Sequence, residues 1–202
     1  MNKYNFEGKT FEEVKERALY ELKESENNII IKVIAEKNGL LKKSVTIEVI
    51  KYSDIINYVK ETLTTIINLM NLNPTFEVKR RDNSINIKIY SDNNSILIGK
   101  NGRSIQALQL LIRQMLANKI TNEVLINLDV ENYKEKKLKS IEYLAKKIAR
   151  EVSKTKVETK MDSMNSYERR VVHNLLSNNK YVYTESIGEE PNRCVVIKPK
   201  EV

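Results

Sequence analysis

A chain of 202 residues has room for one to three small domains, and a hydrophobic content of 41% excludes wholesale disorder. A single cysteine and a single histidine exclude an internal disulfide and a cysteine-rich zinc site, and no apolar run approaches the roughly 18 residues that span a bilayer. The net charge of +8 is unevenly placed: residues 1–50 carry nine basic and nine acidic side chains, so the whole excess, 26 basic against 18 acidic, lies beyond them.

The N-terminus, Met-Asn-Lys-Tyr-Asn-Phe-Glu, lacks the apolar stretch of a signal peptide, and the chain reads as soluble and cytoplasmic without membrane insertion. Residues 3–51 predict a small βαββ unit. Thr10 to Glu13 is a capping box ahead of a helix with Phe11, Val14, Ala18, Leu19 and Leu22 on one face. Ile29 to Ile34 reads as a buried strand, Asn38-Gly39 as a turn, and Val45, Ile47 and Val49 alternate as a second strand. This part carries no constellation of catalytic groups and reads as an interaction or positioning module.

Ser53 is placed to cap a longer helix reaching about Leu72, with Ile55, Ile56, Val59, Leu63, Ile66, Ile67 and Met70 inward and Asn73-Pro74 as its stop. Two strands follow, Thr75 to Lys79 and Ser84 to Tyr90, with Arg80-Arg81-Asp82-Asn83 as the hairpin loop and its cations exposed. Next come a short apolar turn, Ile96 to Ile98, the loop Gly99-Lys100-Asn101-Gly102, a helix to about Asn118 and a strand from Val124 to Val130. In that helix Ile105, Leu108, Leu111, Ile112 and Met115 recur at helical spacing.

Glycine at both ends of the loop lets a polyanion's backbone approach the main chain, since no Cβ intervenes. The amides of Asn101, Gly102 and Arg103 would open the helix toward phosphate oxygens, and Lys100 and Arg103 add two charges. The Gly-x4-Gly-Lys-Ser/Thr spacing of a P-loop is absent. Both the loop and the α-β-β-α-loop-α-β order are similar to a type II KH domain, a fold that holds about four nucleotides of a single strand.

Tyr133 to Lys154 reads as one long helix. Leu138, Ile141, Leu144, Ala145, Ile148, Ala149 and Val152 form its apolar stripe, and Lys134, Lys136, Lys137, Lys139, Lys146, Lys147, Arg150 and Lys154 its basic faces, a solvated surface or a phosphate track. Asn165 or Ser166 then caps a helix with Val171, Val172, Leu175 and Leu176 inward. Arg169 and His173, four residues apart, fall on one face, read here as exposed, where guanidinium and imidazole can grip one phosphate. The bland alternatives are a structural histidine and an arginine paired with a nearby glutamate. Tyr181 to Tyr183 and Cys194 to Ile197 read as strands around a polar loop, Thr184 to Pro191. The Arg-x-x-x-His pattern resembles the Arg-xxx-His domain, a small module that binds single-stranded nucleic acid.

Taken together, Leu97 to Gly102 with Ala107-Leu108-Gln109, Leu128 to Tyr133, Met164 to His173 and Gly188-Glu189-Glu190-Pro191 resemble the bacterial Jag family, also called KhpB or SpoIIIJ-associated protein. The N-terminal part departs from that pattern. Asn38-Gly39-Leu40-Leu41-Lys42-Lys43-Ser44 stands where the family has a Gly- and Phe-rich turn, and the linker around Lys51-Tyr52-Ser53 is short. The resemblance implies an α+β chain of three modules: a βαββ domain over 1–51, a KH domain over 52–132, and a basic helix with an Arg-xxx-His domain over 133–202. It implies a non-catalytic regulator of gene expression linked to cell elongation and division, with a small single-KH protein as a partner.

The function expected is retention of single-stranded RNA, with single-stranded DNA an open alternative. Gly99, Lys100, Asn101, Gly102, Arg103, Arg169, Arg170, His173, Lys146 and Arg150 are the candidate contacts, and no cofactor or metal is called for. An apolar groove beside the loop would read the bases. With three Phe and no Trp, an aromatic stacking platform is not expected. Two rivals are an enzyme, for which one histidine and one cysteine leave little material, and an adaptor whose KH-like unit docks a protein or a second copy.

Overall fold

The hydroxyl of Thr10 accepts the Glu13 amide at 3.2 Å, while the Glu13 carboxylate reaches back one residue further than a capping box requires, to the Lys9 amide. That cap starts α1 (Phe11–Leu22), which lies between β1 (Tyr4–Gly8) and β2 (Ile29–Asn38), with β3 (Lys43–Lys51) after them. The computed structural model describes residues 1–38, 43–120 and 124–200, so the turn expected at Asn38-Gly39 lies, from Gly39 to Lys42, outside the described residues. The sheet order is β1-β3-β2, both pairings antiparallel. Phe6, Val14, Ala18, Ile29, Val45, Ile47 and Val49 close its core. The expected burial of β2 ends ahead of a bulge between Val33 and Ala35, and Val33 and Ile34 are exposed.

α2 (Tyr52–Leu69) follows without a linker. Ser53 is its second residue rather than its cap; Lys51 occupies the cap position and no side chain closes it. Tyr52, Ile55, Val59, Leu63 and Ile67 are buried, a 3–4 spacing that leaves Ile56 and Ile66 half-buried and Met70 exposed at the flank. β4 (Thr75–Arg81) and β5 (Ser84–Tyr90) form an antiparallel hairpin two residues longer than predicted, because Arg80 and Arg81 join the ladder. Arg80 is therefore not a loop cation: its guanidinium stacks 4.1 Å from the centre of the Tyr52 ring, whose hydroxyl donates to Asn83 Oδ1 at 2.8 Å.

α3 (Asn94–Ile98), a 3-10 turn (Lys100–Gly102), α4 (Arg103–Ala117) and β6 (Leu125–Val130) complete the order αββααβ, with the sheet running β4-β5-β6. The buried face of α4 is Ile105, Leu108, Ile112 and Leu116. At 100° per residue Leu111 and Met115 sit on its margin, and Leu111 is exposed with Leu110 beside it.

The residues form two compact units, Met1–Asp129 and Val130–Val202. The second holds α5 (Tyr133–Thr155), β7 (Thr159–Ser163), α6 (Ser166–Leu176), β8 (Val182–Ile187) and β9 (Cys194–Pro199), with antiparallel sheet order β7-β9-β8. β7 was not foreseen, since Thr-Lys-Met-Asp-Ser buries only Met161. Nor is Thr184 to Ile187 a loop; it continues β8. Ala145, Ile148, Ala149 and Val152 of α5 pack with Met161, Val172, Leu176, Val182, Val195 and Ile197, whereas Leu144 is exposed.

Asn165 caps α6 reciprocally: its Oδ1 accepts the Glu168 amide and Glu168 Oε2 accepts the Asn165 amide, both at 3.0 Å. Replacing Asn165 by Ala is expected to lower the stability of this unit by about 1 kcal/mol. Urea denaturation followed by circular dichroism measures it, and an unchanged midpoint contradicts this role of the cap.

Candidate nucleic-acid interface

The Gly99 to Gly102 loop is built by left-handed backbone. Gly99 has φ +68°, Asn101 +57° and Gly102 +79°, conformations that cost a side chain but not glycine. Gly99 is required for a second reason: a Cβ there would stand 2.1 Å from Ser104 Oγ. So the missing side chain at this position makes room for Ser104 of the chain itself, not for a ligand. The Gly102 amide donates to the Gly99 carbonyl at 3.2 Å and the Arg103 amide to the Lys100 carbonyl. Two of the three amides expected to face phosphate are thus spent inside the loop. What the loop presents is charge on a fixed frame, with Lys100, Asn101 and Arg103 exposed and Gly102 buried beneath them.

Along α4 from the loop, Gln109 and Arg113 engage β6, an edge strand. Gln109 Oε1 accepts the Leu128 amide at 2.9 Å, Arg113 Nε donates to the Ile126 carbonyl at 2.8 Å, and Arg113 Nη2 donates to Asn127 Oδ1 at 3.0 Å. Gln109 and Arg113 thus form a polar seam along β6. Only the edge position of β6, a tertiary fact, exposes those backbone groups to α4.

In the second unit, Arg169 is buried at 8% exposure, against the expectation of an exposed face. Its Nη1 donates to the Met164 carbonyl and to Glu190 Oε1, both at 2.8 Å. The pairing glutamate is one the sequence left unspecified, 21 residues ahead in the Gly188-Glu189-Glu190-Pro191 turn. His173 is half-buried, Nδ1 2.6 Å from Thr184 Oγ1 and Nε2 2.8 Å from Ser186 Oγ. Burial, and then the Arg169 charge, hold its pKa below the ordinary histidine value, so at neutral pH the ring is uncharged and hydrogen-bonds without adding charge. Thr184 and Ser186 were missed; the alternation Val182-Thr184-Ser186 on the strand's inner face was the available signal.

The basic helix divides in function. Lys137 bonds the buried Glu168 at 2.6 Å, Lys139 pairs with Glu135 at 2.7 Å and Lys136 with Glu131 at 3.9 Å, so its first half is spent on carboxylates. Lys146, Lys147, Arg150 and Lys154 are exposed, and among the described residues none makes an ion pair within 4.0 Å. Arg170 is exposed on α6 beside the buried Arg169. Gly99 to Arg103 are one cluster; Arg169 and His173 belong to another, in the other unit.

A family model described as KhpA/KhpB, KH domain, matches residues 57–130, and one for the R-three-H domain matches residues 139–199. The RNA-binding protein KhpB of Clostridium symbiosum is 32% identical over 198 residues, which cover 95% of this chain and 89% of that protein. RNA-binding protein KhpB of Bacillus subtilis is 31% identical over 201 residues, 96% of each chain. Its namesake in Lactiplantibacillus plantarum is 40% identical over 102 residues, 50% of this chain and 32% of that one.

Replacing Gly99 by Ala is expected to cost about 1–3 kcal/mol through the positive φ and the Ser104 clash, read as a lower melting temperature with faster exchange of the Gly102 amide. A variant as stable as the parent contradicts the loop geometry. His173 gives a pH prediction. Its neutral form is favoured when folded, so its contribution to stability is complete above the unfolded histidine pKa. That contribution is lost as pH falls through the depressed folded value. As the single histidine, it should titrate by NMR below the ordinary value, and the melting temperature of His173→Gln should depend less on pH between 7 and 5.

Proposed function

The chain belongs to the KhpB family, and we propose that it is a non-catalytic RNA-binding protein, one that holds single-stranded RNA. The reading divides it into modules over 1–51, 52–132 and 133–202. The observation that carries it is the rigid Gly99 to Gly102 turn presenting Lys100, Asn101 and Arg103 at the start of α4. In this account the RNA backbone lies across that turn, its phosphates drawn by Lys100 and Arg103.

A second segment is held on the C-terminal unit. Lys146, Arg150 and Arg170 supply charge at its surface, while Arg169 and His173 take a phosphate that displaces the Glu190 carboxylate from Arg169. Two modest sites on one chain gain by effective concentration, so neither has to be tight. The reading extends to control of gene expression tied to cell elongation, in the cytoplasm. The adaptor reading is kept alive by one observation, the exposed Leu110 and Leu111 on α4, a place for a small KH protein or a second copy to dock.

Fluorescence anisotropy with a mixed-sequence single-stranded RNA at two salt concentrations is the test. Wild type is expected to weaken with salt, with a slope of about 0.7 per phosphate contacted. Lys100→Asp/Asn101→Asp should lose most of the affinity, and Lys146→Glu/Arg150→Glu part of it, both with unchanged circular dichroism. No binding by wild type, or no effect of either variant, sends the search to protein partners.

A further inference from the structure

We propose that Tyr181 and Tyr183 form a base-stacking platform on the C-terminal sheet, a site for two successive nucleobases of a single strand. The proposal rests on the nucleic-acid reading above and adds a contact to bases where that reading supplies contacts to phosphates. β8 is an edge strand. Val182 is buried and Thr184 and Ser186 turn inward to His173, so alternation sends Tyr181 and Tyr183 to the opposite face. The ladder continues past Val182, since the Lys200 amide donates to the Tyr181 carbonyl at 2.8 Å. Both residues are open to solvent, Tyr181 55% exposed and Tyr183 45%. Two residues of strand separate them by about 6.7 Å. That is roughly twice the rise between stacked nucleotides, so each of two bases parted from one another meets a ring.

The charges on this face favour a polyanion over a peptide. Lys198 stands in register with Tyr183, bonds Glu185 at 2.7 Å and approaches Glu158 at 3.7 Å, so its one charge is shared between two carboxylates. Lys160, in register with Val196, adds an exposed cation on the same face. Lys180 and Lys200 lie at the Tyr181 end, the Lys200 ammonium donating to the Asn179 carbonyl. Val196 and Cys194, the aliphatic and sulfur side chains of that face on β9, are buried. Aromatic faces beside cations, with little exposed aliphatic surface, suit bases rather than an apolar partner helix. Weighing only Phe and Trp misses this platform, because the chain's aromatic content is ten Tyr against three Phe.

The test uses the full chain and anisotropy with two labelled RNAs: oligouridylate, and the same length with two adjacent abasic nucleotides placed at each position in turn. Tyr181→Ala/Tyr183→Ala should bind oligouridylate at least about fivefold more weakly, and Tyr181→Phe/Tyr183→Phe within twofold of wild type. The salt slope should be unchanged in both, since no phosphate contact is removed. One placement of the abasic pair should weaken wild type by a similar factor and leave the alanine variant unaffected. Alanine binding equal to wild type, a phenylalanine loss as large as alanine's, or abasic losses that persist in the alanine variant each overturn the platform. If wild type binds neither RNA while folded, the nucleic-acid reading falls and takes the platform with it. If the loop variant loses binding while the tyrosine variants do not, only the platform falls.

Discussion

Two adjacent buried charges of opposite sign, Glu168 and Arg169, organise the C-terminal unit. A buried carboxylate persists only where its oxygens are bonded, and Glu168 meets that condition twice, accepting the Asn165 amide at the start of α6 and pairing with Lys137 of α5. Arg169 meets it through the Met164 carbonyl before the helix and Glu190 beyond β8. One turn of helix thereby ties α5, the β7–α6 connection and the Gly188 to Pro191 turn together. Removing Glu168 would take the counter-ion from the largely buried Lys137 ammonium, and removing Arg169 would take the donor from the Met164 carbonyl, which is why these two residues constrain what surrounds them.

That constraint also shapes the ligand chemistry. A guanidinium that is already bonded to a carboxylate is not idle charge: in the proposed reading a phosphate gains it only by exchanging with Glu190, whose own side chain is largely exposed. The imidazole beside it is kept neutral by burial and by Arg169. Affinity at such a site is a difference between two ion pairs rather than the worth of one. The exposed cations on the later turns of α5, which make no ion pair among the described residues, carry no such cost.

The loop before α4 follows a comparable economy. Gly99 serves the chain's own packing and two of the amides close on carbonyls of the loop, leaving a stiff turn that holds Lys100 and Arg103 outward. Stiffness has a value in recognition, because a preformed turn loses little conformational freedom when a strand is laid on it. The neighbouring seam of Gln109 and Arg113 on β6 covers an edge that would otherwise invite strand pairing.

Much of this was legible in the residues alone. Hydrophobic spacing at 3.6 and at 2 located most helices and strands, the Thr10 and Asn165 caps were readable, and the Gly99 to Gly102 turn and the Arg169–His173 pair stood out as motifs. These are local properties, set by neighbours within four residues. What the sequence could not decide depends on contacts across tens of positions. Ser53 lost the cap because the strand before it runs directly into the helix, and Arg80 left the loop because Tyr52 offered a ring 28 residues away. β7 exists because β9 pairs with it, despite a polar sequence. Whether Arg169 faces solvent or a glutamate, and whether Lys137 is surface charge or the counter-ion of a buried carboxylate, was settled by tertiary packing. Spacing names the face a side chain occupies; only the fold says what lies opposite it.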